Sequence, residues 1–87
     1  MALGDCSALH EWRQRDNPPP DVWQAVRDWV GWLGDFPWQA PSVPVPELSK
    51  PPEYEVREAV LPEAGDVEVT YRHEYATGVV DLIWVIS

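Results

Sequence analysis

The sequence predicts an α+β fold, with one or two N-terminal helices packed on a three-stranded antiparallel β-meander. Three observations carry this. The C-terminal part alternates apolar and polar residues with the period of a strand, residues 21–33 repeat apolar positions with the period of a helix, and six of the ten prolines fall between the two, in residues 37–52. The alternation is cleanest in Val67-Glu68-Val69-Thr70-Tyr71-Arg72-His73-Glu74-Tyr75. Successive strand side chains point to opposite sides, so Val67, Val69, Tyr71, His73 and Tyr75 share one face and Glu68, Thr70, Arg72 and Glu74 the other.

Taken in order, residues 1–16 put Leu3, Leu9 and Trp12 on one helical face with Asp5 or Ser7 as cap, and read either as a helix or as a loose N-terminus. Asn17-Pro18-Pro19-Pro20 stops that segment and opens the next, because proline is tolerated in a first helical turn. Residues 19–34 are the helix, with Asp21 and Gln24 at capping-box spacing. Its stripe is Val22, Val26, Trp29, Val30 and Leu33, widened by Trp23, Ala25 and Trp32, and Trp29 is expected to pack on the sheet as a core residue. Gly34 is placed to end it and Pro37 to prevent its return.

Residues 37–52 read as an extended, polyproline-like connector along which Trp38, Val43, Val45 and Leu48 pack down. Pro41 and Pro44 have the spacing of an SH3 ligand, but the nearest basic residue is Lys50, and a connector is the preferred reading. Residues 53–87 form the sheet, with strands at 54–61, 67–75 and 79–86 joined by two Gly-containing connections of hairpin length. The last strand is apolar on both faces except for Asp81, the pattern of a covered strand rather than a bare edge.

Eighty-seven residues form one domain with a marginal core, and six tryptophans help so short a chain to bury enough surface. The formal charge is −9, and from residue 51 onward eight carboxylates stand against two arginines. Nucleic-acid affinity rests on Lys and Arg releasing counterions, so nucleic acid and anionic membranes are poor partners and a basic protein surface a better one. Cys6 is the only cysteine, which leaves no intramolecular disulfide and no zinc cluster. With no apolar run of spanning or signal-peptide length, the expectation is a soluble cytoplasmic protein without a membrane role.

An enzyme would have to work with His10, His73, Cys6 or the carboxylates. The two histidines lie on distant elements without metal-ligand spacing, and there is no phosphate loop or nucleophile elbow. A lone histidine on the Val67/Val69/Tyr71 face reads first as a core residue satisfied by hydrogen bonds. Neither a cofactor nor a metal is expected.

The order helix, connector, meander resembles the RelE/ParE toxin superfamily of toxin–antitoxin modules. Tyr54-Glu55-Val56-Arg57 is similar to the family's first meander strand, Val67-Glu68-Val69-Thr70-Tyr71-Arg72 to its strand ending in Tyr and a polar pair, and Val79-Val80-Asp81-Leu82-Ile83-Trp84-Val85 to its apolar last strand. The helix at 21–33 is similar to one arm of the family's helical hairpin. The resemblance implies a scaffold whose nuclease members hold and cleave ribosome-bound mRNA with basic residues on these strands. Here Glu68 stands where such members commonly carry Arg, no N-terminal strand is evident, and the sequence ends at Ser87, before the basic and aromatic residues the family places after the last strand. Arg57, Tyr71, Arg72 and His73 are the residues left to nominate for a vestigial or altered catalytic site.

Two functions follow as expectations. The first is a non-catalytic protein-interaction domain on this scaffold, whose partner is an antitoxin-like segment, another copy of the chain, or a basic target. The alternative is an active ribosome-dependent endoribonuclease, the one route by which this chain would meet nucleic acid.

Overall fold

The computed structural model describes residues 3–87. Helix α1 (Ser7–Asp16) and helix α2 (Pro20–Asp35) precede strands β1 (Val43–Pro44), β2 (Tyr54–Leu61), β3 (Val67–Glu74) and β4 (Val80–Ile86), with single 3-10 turns at Pro37–Gln39, Pro46–Leu48 and Pro62–Ala64. The sheet is antiparallel in the order β1-β2-β3-β4. It therefore has four strands rather than the three expected. The additional strand hides in the proline-rich connector, where Val43 and Pro44 pair with Glu58 and Arg57 and the Val45 amide donates to the Val56 carbonyl at 2.8 Å. A proline is admissible there because β1 is an edge strand.

The rest of the connector also departs from a polyproline path, since two of its proline-led segments close into 3-10 turns. Nor does its apolar sequence pack down as expected. Trp38 is 71% exposed and Val43 and Leu48 are exposed, while Val45 alone of the four is half-buried.

Helix α2 starts on Pro20 without a side-chain cap, and Gln24 turns to donate to Asp28 at 2.7 Å instead of closing a capping box with Asp21. Val26, Val30 and Leu33 are its buried stripe. Trp29 lies on the rim of that stripe, half-buried, with its ring 6.5 Å from that of Tyr71. Gly34 is inside the helix and not its terminator. A side chain there would run into Leu3, which packs across it. Gly31, by contrast, has no neighbour where a Cβ would stand. Gly31→Ala should therefore raise the unfolding free energy by about 0.5–1 kcal/mol, the helix-interior cost of glycine. A decrease in urea unfolding would mean that this face of α2 is covered.

Helix α1 is well formed. The Asp5 carboxylate accepts from the Ser7 amide at 2.9 Å, which places a negative charge at the helix N-terminus and holds the Asp5 carboxyl below its usual range. At the other end Asn17 takes a left-handed conformation and its amide donates to the Arg13 carbonyl. Trp12, in the middle, is fully buried.

Strand β4 is terminal in the sheet, yet its open side is covered. The Gly4 amide donates to the Val80 carbonyl and the Leu82 amide to the Asp5 carbonyl, each at 2.8 Å, so residues 3–5 run beside β4 in parallel. Gly4 is required for this approach, because a Cβ would collide with the Asp81 carboxylate. Further along, Arg15 donates to the Val85 carbonyl at 2.8 Å, Trp12 Nε1 donates to Ser87 Oγ at 3.3 Å, and Ser87 Oγ donates to Asp16 at 2.8 Å. The apolar last strand is thus an edge closed by local chain.

Both helices lie on one side of the sheet. Their buried residues join Ala59, Leu61, Val67, Val69, Tyr71, Val80, Leu82 and Val85 in one core. Among the described residues the opposite face carries no α-helix.

Candidate functional site

Alternation along β2 and β3 sorts the four nominated residues onto two faces. Arg57, Tyr71 and His73 share the helix-bearing side, Tyr71 beside Trp29 of α2. Arg72 lies on the helix-free side, so the four do not form one site.

On the helix-bearing side Arg57 and Tyr71 are cross-strand partners, as are Glu55 and His73. What joins them is Ser42, from the connector. Its hydroxyl accepts from Arg57 Nε at 2.7 Å and from the Tyr71 phenol at 2.9 Å, and its carbonyl accepts from Arg57 Nη2 at 2.8 Å. Arg57 Nη1 donates to the Glu55 carboxylate, which also accepts from the Tyr75 phenol at 3.0 Å. The Arg57 guanidinium is consumed by this network and neutralised by Glu55. Tyr71 has no exposed surface, and burial pushes its phenol up.

His73 is half-buried rather than in the core, its ring 6.1 Å from that of Tyr75. Together with Pro37, Trp38, Ala40, Glu55, Arg57 and Tyr75 it lines a depression of about 320 Å³. Here an imidazole meets solvent beside other polar groups. A single imidazole beside a neutralised ion pair supplies one proton-transfer group and no cation for a developing phosphorane charge.

On the helix-free side, Arg72 Nη2 donates to Asp81 Oδ2 at 2.9 Å, which pushes the guanidinium up, and the guanidinium carbon stands 5.1 Å from the Tyr54 ring centroid. Its Nε is buried without a hydrogen-bond partner. Asp81 Oδ1 accepts from the Asp5 amide at 2.7 Å, so the one polar residue of β4 anchors the N-terminal segment as well. Glu68 stands between Val60 of β2 and Ile86 of β4. Thr70, on the same face, is buried opposite Trp84, and the register slips just after it as the sheet passes Ile83. Cross-strand neighbours on one face lie within packing reach, so a large indole in that register covers a small threonine.

This face holds a groove of about 390 Å³ lined by Leu48, Tyr54, Val56, Arg72, Ile83 and Trp84 among others. Val60 (51%), Trp84 (48%) and Ile86 (43%) are exposed large apolar residues on its strands β2 and β4, and Val43 of β1, opposite Glu58, and Leu48 are exposed on the same side. Alternation within β3 gave its acidic side. The exposed apolar residues come from the outer positions of β2 and β4, and the register needed to bring them beside Glu58 and Glu68 is set by hairpins that one strand alone does not reveal.

Cys6 is half-buried, and burial together with the Asp5 and Asp81 carboxylates pushes its thiol up, which opposes a thiolate nucleophile. His10 is exposed beside Trp23, the ring centroids 6.2 Å apart. Among the described residues no group of three His, Cys, Asp or Glu side chains is arranged to hold a metal ion, and no helix is long and apolar enough to cross a membrane. The chain matches no protein-family model, no curated protein and no solved structure.

Proposed function

We propose that this chain is a non-catalytic protein-interaction domain on a RelE/ParE-like scaffold, acting in the cytoplasm as one component of a toxin–antitoxin-type module. The observation that carries the reading is the fate of Arg57. The basic residue best placed for catalysis on the helix-bearing side is tied to Glu55 and to both oxygens of Ser42. A cation so committed pins the connector to the sheet and has its charge already matched by Glu55. The parallel course of residues 3–5 beside β4 supports the scaffold half of the proposal, as a strand-like N-terminal segment where the sequence had suggested none.

The alternative, a ribosome-dependent endoribonuclease, would have to use His73 in the depression below Trp38, on a chain of formal charge −9. Two measurements separate the readings. Produced in a bacterial host without a partner, the chain should leave growth unchanged. Purified, it should not bind random duplex nucleic acid or ribosomes at physiological salt, since six Lys and Arg stand against fifteen Asp and Glu and counterion release needs basic side chains. Growth arrest relieved by His73→Ala, with salt-sensitive ribosome binding, would establish the nuclease instead.

A further inference from the structure

We infer that the helix-free face of the sheet is the docking site for a basic amphipathic helix of a partner protein. This names the partner of the interaction domain proposed above, and rests on that reading. The face is built in cross-strand rows. Val60, Glu68 and Ile86 form one row, Glu58, Thr70 and Trp84 the next, and Val56 and Arg72 with Asp81 a third. Val56 and Thr70 are buried, so the exposed surface is made by Val60, Trp84 and Ile86 beside the Glu58 and Glu68 carboxylates, and the sole arginine in these rows is already paired with Asp81. Among the described residues Glu58 and Glu68 have no ion-pair or hydrogen-bond partner. What complements such a surface is a partner with Lys or Arg flanking an apolar stripe.

The form of the partner follows from the edges. At one end of the sheet residues 3–5 and α1 occupy the hydrogen-bonding side of β4, and at the other Pro44 sits in the two-residue edge strand. Strand addition needs a free edge with donors, and both edges are blunted. A helix lying on the face needs neither. Trp84 and Ile86 are two residues apart on β4, about 6–7 Å along a strand. Positions i and i+4 of a helix rise by about 6 Å, so the spacings match. Trp84, at the mouth of the groove of about 390 Å³, is the aromatic anchor of the surface.

The test uses the full chain, ¹⁵N-labelled, titrated with two synthetic helical peptides that share one Leu/Ile stripe and differ in carrying Lys or Glu beside it. The Lys peptide should bind, with chemical-shift changes at Val60, Glu68, the Trp84 indole and Ile86, and its affinity should fall with added salt. Trp84→Ala should weaken it about tenfold or more, as loss of an anchoring aromatic does. Glu58→Lys with Glu68→Lys should remove the preference for the Lys peptide while unfolding remains unchanged, because both residues are exposed. Equal binding of the Glu peptide would overturn the inference, as would shifts centred on Trp38 and Tyr75, or no binding up to about 1 mM. The same shifts produced by concentrating the chain alone would assign the face to a second copy and likewise overturn it. None of these failures creates nuclease activity, whereas growth arrest or message cleavage by the chain would remove the non-catalytic reading whatever the peptides do.

Discussion

Trp12→Ala should lower the unfolding free energy by about 3–5 kcal/mol, the range for deleting a large aromatic from a packed core. Trp12 has no exposed surface, its ring lies 6.3 Å from that of Trp23, and its indole nitrogen reaches Ser87 beyond the end of β4. The substitution removes buried area, opens a cavity between α1 and the sheet, and releases the clamp that Asp16 and Ser87 form on the last strand. A domain of this size has a net stability of roughly 4–13 kcal/mol, so the loss takes a large part of it. Urea unfolding followed by far-UV circular dichroism gives the number. Trp29→Ala, on the half-buried rim of α2, should cost less than Trp12→Ala in the same assay. A reversed ranking would mean that α1 is not part of the cooperative core.

Arg57→Met should cost about 1.5–3 kcal/mol, the worth of hydrogen bonds made by a charged group. The methionine keeps the stem and deletes the head, leaving the Ser42 carbonyl without its donor and the Glu55 carboxylate with the Tyr75 phenol alone, while the Tyr71 phenol keeps Ser42 Oγ. The guanidinium side chain is 28% exposed, so water takes up part of the loss and the lower half of the range applies if the connector lifts away. The expected signature is structural. Amides of residues 40–45 should exchange faster with solvent, with little change in the helices. An unaltered stability with slower chemistry on any substrate would instead make Arg57 a catalytic residue.

Much of the architecture was legible because it is local. Helix α2 and strands β2, β3 and β4 follow from periodicity and turn chemistry, and their ends fall within one or two residues of the expected ones. Strand β1 was not legible, because two residues including a proline carry no strand signal of their own and pair solely because β2 offers an edge. Nor was the importance of Trp12. The α1 sequence Ser7-Ala8-Leu9-His10-Glu11-Trp12-Arg13-Gln14-Arg15-Asp16 is mostly polar, and its burial comes from β4, some 70 positions away in the chain.

The candidate site was half legible. Period-two alternation places Tyr71 with His73 and separates both from Arg72, and Glu55 and Arg57 share a face by the same rule. Ser42, the residue that organises Arg57 and Tyr71, lies in a proline-rich stretch with nothing to mark it. Nor does β3 by itself reveal the charge partner of Arg72. Glu68 is near it along β3, but the β3–β4 register brings Asp81 directly opposite.

The claim that this chain binds rather than cleaves is tested most directly by adding the purified protein to a reconstituted translation reaction and mapping message ends by primer extension. The expected result is full-length message and undiminished protein synthesis at every concentration reached. Message cut within the ribosomal A site by the native chain, and left intact by the His73→Ala variant, would contradict it.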